Sequence, residues 1–265
     1  MATRGENIKN DVFDTSLSVR FELLKHLRHK RLLIVAALAV ILPLFPLISR
    51  PDTAAEFAAT SLTFVSIMII ISAAMFAGDA VCGEFEKKTS LLLFPTPQNR
   101  TSIFAGKYVA ALMCTFLAVS LWYLILTLEI GPIYGWREMP AELWKSFLTA
   151  LIYSASAVSI VFLISSLLKR SMPATIVGFL VLVMILPIIS MVVTRLDQEP
   201  WFIVTYSAGL ITDVLGVSNT IPTGPHGDFV GQFTPTFGVG IAVMVGYAII
   251  AFTIGMVLAN RKSEE

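Results

Sequence analysis

Six long apolar runs decide what this chain can become. They are Leu32–Ser49, broken by Pro43 and Pro46, then about Phe57–Gly78, Phe104–Ile130 and Leu143–Leu168, then Met172–Thr194 with Pro187 inside, and about Phe237–Asn260. A helix of ~20 apolar residues crosses the ~30 Å hydrocarbon layer of a bilayer. Packing six such runs in water would need a polar shell that is not available. The chain is 56% hydrophobic and 14% charged, where globular domains carry about a quarter charged residues, and its mean hydropathy is +0.80. The runs are continuous and do not alternate, which selects helices over barrel strands. The expected fold is therefore an all-α integral membrane protein with six transmembrane helices.

Basic residues orient such a bundle. With the N-terminus inside, fifteen of the nineteen Lys and Arg residues fall on the inner side, and only Arg50, Arg137, Lys145 and Arg195 lie outside. The reading is a multi-pass protein of the cell (plasma or inner) membrane with both termini cytoplasmic. Residues 1–31 form a cytoplasmic tail and helix, 32–260 the membrane domain, and 261–265 a short cytoplasmic tail. Within the membrane domain, 79–103 is an inner loop and 196–236 an extracellular segment. The first apolar run lacks a small-residue cleavage site and is expected to stay as a membrane helix. Cys82 falls in the inner loop and Cys114 in a span, so no structural disulfide is expected. A net charge of +1 gives no sign of a nucleic-acid partner. Membrane lipids are the partner that the composition implies.

Residues 12–31 place Phe13, Leu17, Phe21, Leu24 and Leu27 on one helical stripe, with Arg20, Glu22, Lys25, Arg28 and Lys30 around the rest. Asp14 is placed to cap the start. A basic amphipathic helix beside a membrane is expected in the inner headgroup layer. It is either a topology anchor or an elbow leading into a transporter bundle. His26 and His29 are expected to face lipid, since two histidines on a basic surface make a poor metal site. The segment 196–236 mixes prolines and glycines with the apolar stretch Trp201–Leu215, which is too short to cross. Short re-entrant or interfacial helices fit it, as a lid or as an ordinary loop.

The inner loop carries the most specific information. After Gly83 comes Glu84-Phe85-Glu86-Lys87-Lys88-Thr89-Ser90-Leu91-Leu92-Leu93-Phe94, closed by Pro95 and Pro97. Acids in the first turn and bases after them suit a helix dipole. Glu84 and Lys88 form an i,i+4 pair, and Phe85, Thr89 and Leu92 share a face. This is a short amphipathic rod with an apolar contact and a charged rim, a shape suited to docking a partner. The bland alternative is a helix lying on headgroups, which two leading acids disfavour against an anionic leaflet.

These residues resemble the first cytoplasmic loop of ABC exporter permeases of the second type. The family shows a Gly-Glu near the end of the second span, then a Thr, a Leu cluster, a Pro, an Arg and a Gly-Lys. Here these are Gly83-Glu84, Thr89, Leu91–Leu93, Pro95 or Pro97, Arg100 and Gly106-Lys107. The elbow, six spans, tiny second inner loop and extracellular segment also match the family plan. The resemblance implies a coupling helix over Glu84–Phe94 and a second inner contact at Lys169-Arg170-Ser171. The resulting ATPase interface would comprise Gly83, Glu84, Phe85, Glu86, Lys87, Lys88, Thr89, Leu92, Arg100, Lys169 and Arg170. It further implies two ATPase subunits holding ATP and Mg, and a second permease copy or paralogue.

No Walker-type phosphate loop occurs in the chain, so nucleotide would bind a separate subunit and the chain itself binds no cofactor and is no enzyme. No Gly-x-Ser-x-Gly or His-Glu-x-x-His motif occurs. Glu129 reads as the one acid near a span, lining a vestibule or snorkelling beside Gly131-Pro132. Serines and alanines of the fourth span suit close helix packing. In the resembled family the second and fifth spans line the central cavity, which makes Thr60, Thr63 and Ser66 pathway candidates. The competing readings are a stand-alone secondary transporter, disfavoured by the apparent lack of ionisable groups within the spans, and a membrane anchor or scaffold for a maturation complex.

Overall fold

A computed structural model describes residues 4–28, 30–49, 51–86, 100–216 and 233–262. Among them all regular structure is helical. Six helices are long and apolar enough to cross a membrane: Arg31–Ile48, Ala54–Glu86, Thr101–Tyr134, Leu143–Leu167, Ser171–Arg195 and Phe237–Lys262. They correspond one for one to the six apolar runs. Spans two and three run well past the apolar runs that mark them, because a helix continues wherever its backbone groups stay paired, whatever the polarity of its last turns.

The interruptions have local causes. Span one tightens into a 3₁₀ turn at Leu42–Leu44, around Pro43, which has no N–H to donate. Thr53 caps span two by accepting from the Glu56 N–H at 3.2 Å. Span two breaks lightly at Phe64 and turns again at residues 78–81 before a five-residue helix, Cys82–Glu86. Span five widens into a π-helical turn at Val181–Ile185, immediately before Pro187. The proline ring would collide with the carbonyl four residues back, and the wider turn relieves this.

Span four is the hub. It packs against span six and also meets spans two, three and five. Its serines do what the packing reading expects. Ser156 donates across to the Met244 carbonyl at 2.6 Å, and Ser159 meets Tyr108 of span three at 2.9 Å. Trp122, Tyr153, Phe57 and Phe162 are fully buried at the centre. Span two is 72% buried over its most apolar stretch and span five only 11%. Span five therefore carries a wall of exposed Ile, Met and Val side chains, an arrangement that costs nothing against lipid tails.

The N-terminal helix, Arg4–Arg28, corrects the sequence reading. It starts earlier than residue 12, so Asp14 lies inside it and caps nothing. Its apolar stripe faces away from the bundle, with Phe13 67% and Phe21 64% exposed. Its polar face is the buried one: Glu22 and His26 are packed against the protein, and His26 stacks edge-on with Phe76 at 5.1 Å. The histidine thus faces the core, where lipid was expected. The reason is that the bundle presents charged groups at this end for the polar face to match. Lys30, at φ 57°, makes the corner into span one. The start of span one and the end of span six lie at this end of the bundle, since Arg31 meets Asp79 and Lys262 meets Leu168. At the far end, Val204–Ser207 and Leu210–Asp213 form two short helices, as expected for a segment too short to cross.

Candidate functional site

At the end of the bundle where span one begins, contacts from spans three, four, five and six converge on the short helix Cys82–Glu86. Its N-terminal turn is held by Ser165 of span four, whose Oγ accepts from the Val81 and Cys82 amides at 3.1 and 3.3 Å. Cys82 is fully buried and donates its thiol to the Gly78 carbonyl at 3.2 Å, so it is no loop residue. Both cysteines are free and buried.

From this anchor three side chains reach three other spans. Glu84 forms an ion pair with Lys107 of span three. Glu86 accepts from the Ser171 amide, the first residue of span five, at 2.7 Å. Phe85 lies under Lys262 of span six, whose Nζ stands 5.1 Å from the ring centroid. Lys262 also donates to the Ser166 carbonyl at 3.3 Å and to that of Leu168, closing the end of span four. Lys169 and Arg170 lie between spans four and five, directly before Ser171. Gly83 is buried beside Asp79 and Ser171. Lys87, Lys88, Thr89 and Leu92 lie outside the described residues. Arg100 opens the helix of span three.

A second layer of charge joins the N-terminal helix to this junction. Lys107 also stands 3.9 Å from Glu22, which pairs with Lys25. Arg31 donates to Asp79 at 2.7 Å and to the Met75 carbonyl at 3.3 Å. Asp79 and Lys107 are 3% and 5% exposed. Groups this buried are tolerated only as partners. Burial opposes the charge on Lys25, but Glu22 and Asp79 outweigh it and raise its pKa. For His26 burial, helped by the nearby Lys25 and Arg31 charges, outweighs Glu22 and Asp79 and drives its pKa down to about 4. Its two ring nitrogens have no hydrogen-bond partner among the described residues. Among the described residues no group of three or more metal-ligating side chains occurs.

The Gly106-Lys107 pair now has a physical meaning. A Cβ on Gly106 would stand 2.5 Å from Ser18 Cβ and 3.0 Å from the Thr15 carbonyl of the N-terminal helix. Glycine lets that helix close on span three, and the next residue supplies the ammonium shared by Glu22 and Glu84.

Sequence reasoning missed Asp79, Glu22 and Lys107 as a buried network, and it took Glu129 for the one acid near a span. The available signal was an Asp directly following an apolar run and a Lys inside the next one. Glu129 does not snorkel: both its carboxylate oxygens are buried and unpartnered among the described residues. Of the pathway candidates, Thr63 and Ser66 line a cavity between spans two and five. Thr60 instead donates to its own helix, at the Glu56 carbonyl 2.8 Å away.

The family model described as a protein of unknown function (DUF2705) matches residues 31–263. This chain belongs to that family. The match starts at Arg31, so it covers all six spans and leaves the N-terminal helix outside. Within DUF2705 the junction is thus part of the family's domain, and Glu22 is contributed from beyond it. Uncharacterized protein YcbO of Bacillus subtilis (strain 168) is 25% identical over 136 residues, or 47% of this chain. The chain covers 58% of that relative's length.

Proposed function

We propose that this DUF2705 chain is the permease subunit of an ATP-driven ABC transporter, working as an exporter. Two copies, or one copy and a paralogue, would pair in the membrane over two ATPase subunits carrying ATP and Mg. The observation that carries the reading is the helix Cys82–Glu86. Three consecutive residues of it, Glu84, Phe85 and Glu86, touch spans three, six and five respectively. A load applied to the loop that follows is delivered to three spans at once, which is what coupling to an external motor requires. The chain supplies differential contacts in two states, and the motor supplies the free energy.

The test is site-specific photo-crosslinking from positions 87 and 88 in native membranes. The expected product joins this chain to a subunit with a Walker-type phosphate loop, and Phe85→Ala should lower ATP-dependent transport while the protein stays folded. Cross-links to lipid alone would overturn the proposal.

One observation favours a second reading. Buried ionisable side chains mark ion paths in secondary transporters, and Asp79, Lys107 and Glu129 are such groups. At one end of the bundle Asp79 pairs with Arg31 and Lys107 with Glu84, while Glu129 lies towards the other end of span three. That separation favours structural pairing over a proton relay. Transport by the purified chain without ATP would reverse that preference.

A further inference from the structure

A cavity of about 490 Å³ opens in the half of the bundle remote from the Asp79–Lys107 end. This is a volume suited to a small organic molecule. Its apolar walls include Leu62 and Ile70 of span two and Leu182 of span five. Its polar groups are Thr63, Ser66, Tyr153, Thr205, Thr212 and Asp213.

Thr205 Oγ1 is buried and has no hydrogen-bond partner among the described residues. Buried hydroxyls are normally satisfied, so this one is placed to meet a bound group. Tyr153, 1% exposed, stands in the same wall. Asp213 is the one charged side chain among the described lining residues. Partial desolvation raises its pKa. A cation in the cavity would meet its carboxylate directly.

We propose that this cavity binds an organic cation. Its apolar body lies against Leu62, Ile70 and Leu182, its ammonium or amine group faces Asp213, and its N–H groups donate to Tyr153 and Thr205. Calling that molecule cargo rests on the permease reading, but its binding does not.

The experiment uses the purified full chain in nanodiscs of zwitterionic lipid, with ethidium as a fluorescent cationic probe and anilinonaphthalene sulfonate as an anionic one. Ethidium is expected to bind saturably above empty discs, and the anion is not. Asp213→Asn, at an exposed position, should weaken ethidium binding by about tenfold or more. Ser66→Leu, which fills the cavity, should do the same. The proposal is overturned if the anion binds as tightly as ethidium, if either variant binds ethidium like the parent, or if empty discs account for the signal. Absent binding with an intact ATPase cross-link would remove only this proposal. Binding without the cross-link would remove only the permease reading.

Discussion

Replacing Lys107 with Met is the sharpest perturbation of this junction. Lys107 is 5% exposed, and its ammonium serves two carboxylates, Glu84 in direct contact and Glu22 at 3.9 Å. Their side chains are 14% and 10% exposed, so neither recovers full hydration when the ammonium leaves. Removing one partner of such a buried pair costs about 3–5 kcal/mol, mostly as the penalty of the charge left behind. For a chain of this size that corresponds to a melting temperature lower by on the order of 10 °C. Thermal unfolding in mild detergent, followed by tryptophan fluorescence, measures it. The argument makes a second demand. If the stranded charge is the cause, Glu84→Gln in the Lys107→Met background should recover a large part of the loss, although Glu84→Gln alone destabilises the parent. A Lys107→Met protein as stable as the parent would refute the reasoning. So would a double variant no better than Lys107→Met.

Other predictions concern the same end of the bundle. His26 has a folded pKa of about 4 against an ordinary 6.5, so protons bind the unfolded chain better. Its contribution is fully present above pH 6.5 and is lost as pH falls toward 4, by roughly 3 kcal/mol. His26→Leu should flatten this part of the stability profile, and an unchanged profile would count against it. Gly78→Ala should lower the melting temperature by a few degrees, because a Cβ there would stand 2.4 Å from Thr175 Oγ1 and 3.0 Å from Thr175 Cα in span five. Cys82 and Cys114, 0% and 3% exposed, should react with maleimide only after denaturation. Rapid labelling of Cys82 in the native protein would place it in an open loop.

The spans were legible because each requirement is local: twenty apolar residues in a row must cross or aggregate. That Thr63 and Ser66 face a cavity was not visible in the run itself, where hydroxyls serve helix packing equally well. Nor was the buried network. Whether Glu22 faces water or Lys107 depends on a glycine 84 positions away letting two helices close, and no periodicity reports that. The amphipathic pattern of the N-terminal helix was read correctly and its orientation was not. A stripe and its opposite face are equally visible in sequence, but which side meets the protein depends on what the protein offers. Asp79 was passed over because it directly follows an apolar run, where a charge ordinarily marks the water boundary.

The backwards-facing first helix sets an order of assembly. It leaves the ribosome before the spans it packs against, and the groups its buried side needs, at Phe76, Asp79 and Lys107, belong to segments made later. Its seat is complete only once the third span has been threaded, and a ribosome stalled before Lys107 would leave it undocked.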